Sequence, residues 1–142
     1  KTGRPLELFD CSTCDLCISA CPNDANMRLR SLDGAIPFSR RHQIANFADF
    51  CNDCGNCEIA CPDLGAPQFM KLRFFGSEES WRRHAPLDGF WIGPDSTRAR
   101  INGTEYDERS SHPLIRYARR AVLDTANVNY INSHPALHVR TP

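Results

Sequence analysis

The chain has no run approaching the ~18–20 apolar residues that a membrane-spanning helix needs, so no span is expected. Its first residues contain no basic start followed by an apolar stretch, which leaves a secretory signal unsupported. Net charge is absent too, with 17 Lys+Arg against 17 Asp+Glu, and this removes the electrostatic case for nucleic acid or an anionic membrane as partner. No cysteine follows residue 61, and there is no Gly-rich phosphate loop, nucleophile elbow or metalloprotease helix. A substrate site therefore cannot be located in these residues. The chain begins at Lys1 rather than at methionine, and the expectation is that it is the tail of something longer.

What is present is uneven. Residues 1–70 carry six basic and nine acidic side chains, a net of −3, and residues 71–142 carry eleven and eight, a net of +3. The basic half is expected to dock partly against the acidic one. With 142 residues and 41% hydrophobic side chains, the chain fits one domain, or one small domain with an appendage.

All eight cysteines fall in two groups with one spacing. Cys11, Cys14, Cys17, Cys21 and Pro22 recur forty residues later as Cys51, Cys54, Cys57, Cys61 and Pro62, and Ala20 and Ala60 each precede the last cysteine. A repeat this short predicts pseudo-twofold symmetry in a small fold. A disulfide framework would spread its cysteines to close loops, whereas this grouping indicates metal ligation in a reducing compartment, the cytoplasm by default. Structural zinc usually pairs two Cys-x-x-Cys units across a longer spacer, which three cysteines within a short span do not supply. The spacing instead suits [4Fe–4S] clusters, for which all eight cysteines are the candidate ligands. Each trailing proline lacks an N–H, ends the turn and places an apolar ring near the site. Gly55 is expected to permit close backbone approach, and Asp15 stands at its counterpart in the first run, so the two sites need not share one potential.

Strand-like segments surround the runs at residues 7–10, 25–29, 43–47 and 69–75, with a loop at 30–41. Further along, residues 90–92 and 98–106 read as strands, the second pair turning at Asn102-Gly103 in a type I′ hairpin. A helix is predicted over 113–126, with Pro113 in its first turn and Leu114, Ile115, Ala118, Ala121 and Val122 on one face. The tail at 129–142 reads as extended. His134 and His138 flank Pro135 with no carboxylates nearby, which favours a solvated tail over a metal site. Phe69, Phe74, Phe75, Trp81, Phe90 and Trp91 read as core, and the pairs Arg82-Arg83 and Arg119-Arg120 as solvated faces rather than a docking patch.

Over residues 6–75 the cysteine runs resemble bacterial-type two-cluster ferredoxins. That resemblance implies an α+β ferredoxin-type domain at 1–75, followed by a hairpin-and-helix accessory region at 76–142. It also implies that the fourth cysteine of each run serves the other cluster. One set is then Cys11, Cys14, Cys17 and Cys61, and the other Cys51, Cys54, Cys57 and Cys21. The loop at 30–41 is an insertion relative to the minimal fold. "CPNDAN", "FADFCNDCGNCEIACPDLGAP" and "GFWI…RARINGTEYD" further resemble the C-terminal ferredoxin domain of the provisionally named selenate reductase family, flavin-containing oxidoreductases related to the glutamate synthase small subunit. This implies FAD and NAD(P)H in a partner chain or upstream domain, and a role as electron relay without substrate chemistry of its own. The alternatives are a free, diffusible ferredoxin, a structural or sensory cluster domain, and a zinc-binding interaction module.

Overall fold

A computed structural model describes residues 1–30 and 42–123. Of the loop predicted over 30–41, Arg30 ends the first strand, and residues 31–41, residues 124–126 of the predicted last helix, and the tail with His134 and His138 lie outside the described residues.

Six strands form one mixed sheet in sequential order: β1 (Asn26–Arg30), β2 (His42–Phe47), β3 (Leu72–Phe75), β4 (Gly89–Ile92), β5 (Thr97–Ile101) and β6 (Thr104–Asp107). β1 and β2 pair antiparallel, β2–β3 and β3–β4 parallel, and β4–β5 and β5–β6 antiparallel. Helices α1 (Leu16–Ser19) and α2 (Asn56–Ala60) follow the cysteine loops, α3 (Pro67–Met70) leads into β3, α4 (Glu78–Arg83) links β3 to β4, and α5 (Pro113–Leu123) closes the described chain. This is the expected α+β class.

Side chains alternate across a strand, and that alternation sorts the core into two sides. Met27, Leu29, Ala45, Phe47, Leu72, Phe74, Phe90, Ile92 and Ala99 form a single cluster with Ile115, Tyr117, Ala118, Ala121 and Val122 of α5. This cluster runs without a break past residue 75. On the other side, Phe75, Trp81 and Trp91 pack with Ala48, while Leu6 and Ile44 join the buried cysteines. The cysteine loops thus occupy one half of a sheet face and α4 the other half.

Two local expectations change. Residues 69–70 belong to helix α3, not to a strand, because Pro67 starts a helical turn in which Met70 N–H reaches the Ala66 carbonyl at 2.9 Å. Residues 7–10 form no strand; the pairing there comes earlier, as an isolated parallel bridge between Pro5 and Leu64. The hairpin turns where predicted, with Asn102 at φ 51° and Gly103 at φ 81°, the two left-handed residues of a type I′ turn. Helix α4 was not anticipated. Ser77 caps it, its Oγ accepting from Ser80 N–H at 3.0 Å, and Ser80 Oγ donates to Asp49 at 2.6 Å.

The arginine pairs serve the chain itself. Arg82 bonds Glu78, and Arg83 lies 3.9 Å from Glu79. Arg119 pins α5 to the β4–β5 connection through the Gly93 carbonyl at 3.1 Å and Thr97 Oγ1 at 2.8 Å. Of the six aromatics read as core, five are buried, and Phe69 is half exposed.

Candidate metal centre

Both cysteine runs fold into the same loop. Thr13 and Asp53, two residues after the first cysteine of each run, have φ 51° and 56°; Asp15 and Gly55, two further on, have φ 65° and 80°. Left-handed residues at these points reverse the chain between cysteines. Gly55 lines the second hollow with a left-handed backbone that favours glycine, and a Cβ placed on it would meet no protein atom within 4 Å. A short helix then carries Cys17 or Cys57, and Cys21 and Cys61 lie just beyond the helix ends.

The folded loops form two hollows, each with four cysteines in its wall. The first is lined by Cys11, Cys14, Cys17 and Cys61, with Leu6, Ile44, Asp15, Asp63 and Lys71 among the surrounding residues. The second is lined by Cys51, Cys54, Cys57 and Cys21, with Asn26, Asn46, Asp53 and Gln68 nearby. The last cysteine of each run therefore stands with the first three of the other. Among the described residues, no three Cys, His, Asp or Glu side chains are gathered into a single-ion site.

The hollows differ in enclosure and polarity. Cys11, Cys17 and Cys61 are buried and Cys14 exposed, whereas in the second set only Cys57 is buried. Burial, followed by the neighbouring cysteines, pushes the Cys17 thiol up to about 12. Burial also raises Cys51 and Cys61. Such thiols stay protonated at neutral pH until metal displaces the proton. Around the second hollow, Cys57 Sγ donates to Gln68 Oε1 at 2.9 Å, Cys51 Sγ to Asp53 at 3.6 Å, and Ala25 N–H donates to Cys21 Sγ at 3.2 Å. Asn46 Nδ2 donates to Asn26 Oδ1 at 2.9 Å, and Asn26 in turn to the Cys17 carbonyl at 2.9 Å, tying the second hollow to the first loop.

The N-terminal segment lies beside the first hollow. Thr2 Oγ1 donates to Asp63 at 2.8 Å and Arg4 to the same carboxylate at 3.0 Å, while Leu6 N–H reaches the Leu64 carbonyl at 2.7 Å. Leu6 thereby becomes part of the wall. Asp15 is held by Arg28 at 3.0 Å and His42 at 2.8 Å. These polar neighbours were not found from the sequence, although two charged residues inside the apolar segment 69–75, Lys71 and Arg73, were a visible signal.

Four thiols per hollow, walled by apolar and amide side chains, make a donor set that fits iron–sulfur chemistry. The fold and the donor set define an iron–sulfur protein of the ferredoxin type. The 4Fe–4S dicluster domain family matches residues 10–66, and the chain belongs to that family. Against YgfK of Escherichia coli (strain K12), an oxidoreductase by name, it is 31% identical over 94 residues, which is 66% of this chain and 8% of YgfK. The chain thus spans less than a tenth of that relative's length. Against the ketoisovalerate oxidoreductase subunit VorC of Methanothermobacter marburgensis it is 32% identical over 66 residues, 46% of this chain and 78% of VorC. No solved structure matches. Among the described residues no helix is long and apolar enough to cross a membrane.

Proposed function

We propose that this chain relays single electrons through two [4Fe–4S] clusters inside a larger oxidoreductase, between a flavin or NAD(P)H-linked centre and a further redox centre. Cys11, Cys14, Cys17 and Cys61 hold one cluster, and Cys51, Cys54, Cys57 and Cys21 the other. The observation that carries this reading is the interchange of the fourth cysteine: each hollow has four thiols only because the runs lend one to each other. When bound, the clusters supply the one-electron chemistry. The protein supplies ligands, apolar cover from Leu6 and Ile44, and polar groups around the sulfurs.

The similarity to oxidoreductase components supports assembly with such an enzyme, either as part of a long chain, as in the match to YgfK, or as a small subunit, as in the match to VorC. The flavin and nicotinamide sites belong to the partner in this reading, which also places the protein in a reducing compartment such as the cytoplasm. Residues 1–75 provide the ferredoxin-type unit, and 76–142 act as its accessory region.

The test is anaerobic reconstitution followed by iron and sulfide analysis and EPR after dithionite reduction. Two magnetically interacting clusters are expected. Zinc in place of iron and sulfide, or a single cluster, would defeat the proposal.

A further inference from the structure

Two cations are buried where β3 begins, and Asp63, which shares the first hollow with Lys71, is already paired with Arg4. Lys71 is 4% exposed and Arg73 is 5% exposed. Neither takes part in an ion pair with a described residue, although Arg4, Arg28, Arg82, Arg83, Arg98, Arg100 and Arg109 all do. Lys71 Nζ donates to the backbone carbonyls of Glu7 and of Leu8, the latter at 3.0 Å. Arg73 donates one hydrogen bond, to the Gln68 carbonyl at 3.2 Å, and rests against Phe69 and Phe75 with its guanidinium 5.1 and 5.9 Å from their centroids. Its Nε has no partner among the described residues. Burying a charge is costly unless something opposite in sign lies close by.

Their positions name the missing counter-charge. Residues 71 and 73 lie two apart along an extended segment and so point to the same face. Lys71 lines the first hollow. Arg73 is the register partner of Asn46, which lines the second hollow. Through Gln68, whose side chain lies 2.9 Å from Cys57 Sγ, Arg73 adjoins the same cysteine set. The same two-residue step on β2 moves from Ile44 at the first hollow to Asn46 at the second. A cluster ligated by four thiolates carries net negative charge, and that charge is part of what sets its potential. The carboxylates near the first hollow are already engaged, Asp63 by Arg4 and Asp15 by Arg28 and His42. Asp53 adds negative charge to the second.

We infer that Lys71 and Arg73 are dedicated counter-charges of the two clusters, Lys71 for the set Cys11, Cys14, Cys17 and Cys61, and Arg73 for the set Cys51, Cys54, Cys57 and Cys21. Each stabilises the reduced, more negative state of its own cluster. This assignment rests on the ligation proposed above.

The test is an anaerobic redox titration of the full reconstituted chain, followed by EPR, with Cys14→Ser and Cys54→Ser marking which signal belongs to which cluster. Arg73→Met should lower the midpoint of the Cys54 cluster and leave the other in place, and Lys71→Met should do the converse. Arg73→Lys and Lys71→Arg should stay near the wild-type midpoints. If a Met variant fails to load its cluster while the charge-retaining variant loads it, charge is again what matters. Unchanged midpoints in the Met variants, equal shifts of both clusters, or charge-retaining variants that fail as badly as Met would overturn the inference. A wild-type chain with two clusters and unshifted variants defeats only the counter-charges; a wild-type chain without two clusters defeats the ligation as well.

Discussion

His42 Nε2 lies 2.8 Å from Asp15 Oδ1, while Arg28 Nε holds Oδ2 of the same carboxylate at 3.0 Å. The left-handed residue of the first cysteine loop is thus clamped to β1 and β2. Viewed only as a charge beside a cluster, Asp15 would be expected to lower its potential. With two basic partners it also fixes the loop that carries Cys14 and Cys17.

Asp15→Asn should therefore do two things. Iron should leave the first cluster several-fold faster when a chelator is added, and that cluster's midpoint should rise as Arg28 and His42 lose their partner. An iron-release rate equal to wild type would show that the clamp does not hold the loop.

The interchange of cysteines makes a prediction that a local arrangement would reverse. Cys61→Ala should damage the cluster at Cys11, Cys14 and Cys17, and Cys21→Ala the one at Cys51, Cys54 and Cys57. Iron content together with the EPR signal that survives decides it. Loss of the cluster nearest in sequence in either variant would refute the pairing.

Gly55 offers an energetic test because its backbone is left-handed and no protein atom lies within 4 Å of its missing Cβ. Gly55→Ala should cost about 1 kcal/mol through the left-handed backbone. Gly55→Asn should cost less, since asparagine tolerates that conformation. Thermal unfolding of the loaded variants measures both, and equal losses would point to a steric cause instead.

How much of this was legible in the sequence follows from range. The cysteine runs are local, and their spacing and trailing prolines sufficed to mark two metal-binding loops. The strand-forming residues in 43–47 and 90–92 likewise identified strands. Residues 67–70 misled because Phe69 and Met70 look like strand or core residues; the proline three positions before Met70 decides the helix. Helix α4 was not anticipated, and one of its supports, the hydrogen bond from Ser80 Oγ to Asp49, spans 31 residues of sequence. The parallel β2–β3–β4 order and the roles of Lys71 and Arg73 depend on which strands become neighbours, and no single segment records that.

The continuity of the sheet has its own consequence at Trp81. This side chain is 2% exposed, donates to the Gly89 carbonyl at 3.2 Å and lies under the Arg100 guanidinium at 4.3 Å. It packs with Ala48, which opens the 3₁₀ turn (Ala48–Phe50) leading into Cys51. Trp81→Ala should cost about 3–5 kcal/mol. It should also speed iron loss, although the residue lies well outside the cysteine runs. A lowered Tm with unchanged iron retention would show that the accessory region is energetically separate.

Asp63 supplies the pH dependence. Hydrogen bonds from Arg4 and Thr2 hold its carboxyl below the ordinary range, so the folded state favours the ionised form. For a depressed carboxyl, the stabilisation is fully present above the unfolded value of about 3.9 and is lost as pH falls through the lower, folded value. The Tm gap between wild type and Asp63→Asn should then be constant from neutral pH down to about 4 and close below it. Because the same carboxylate anchors residues 2–4, and Leu6 beyond them walls the first hollow, iron loss from the Cys11 cluster should accelerate over the same acid window in wild type. A gap that widens on acidification would mean that the Arg4–Asp63 contact does not stabilise the segment.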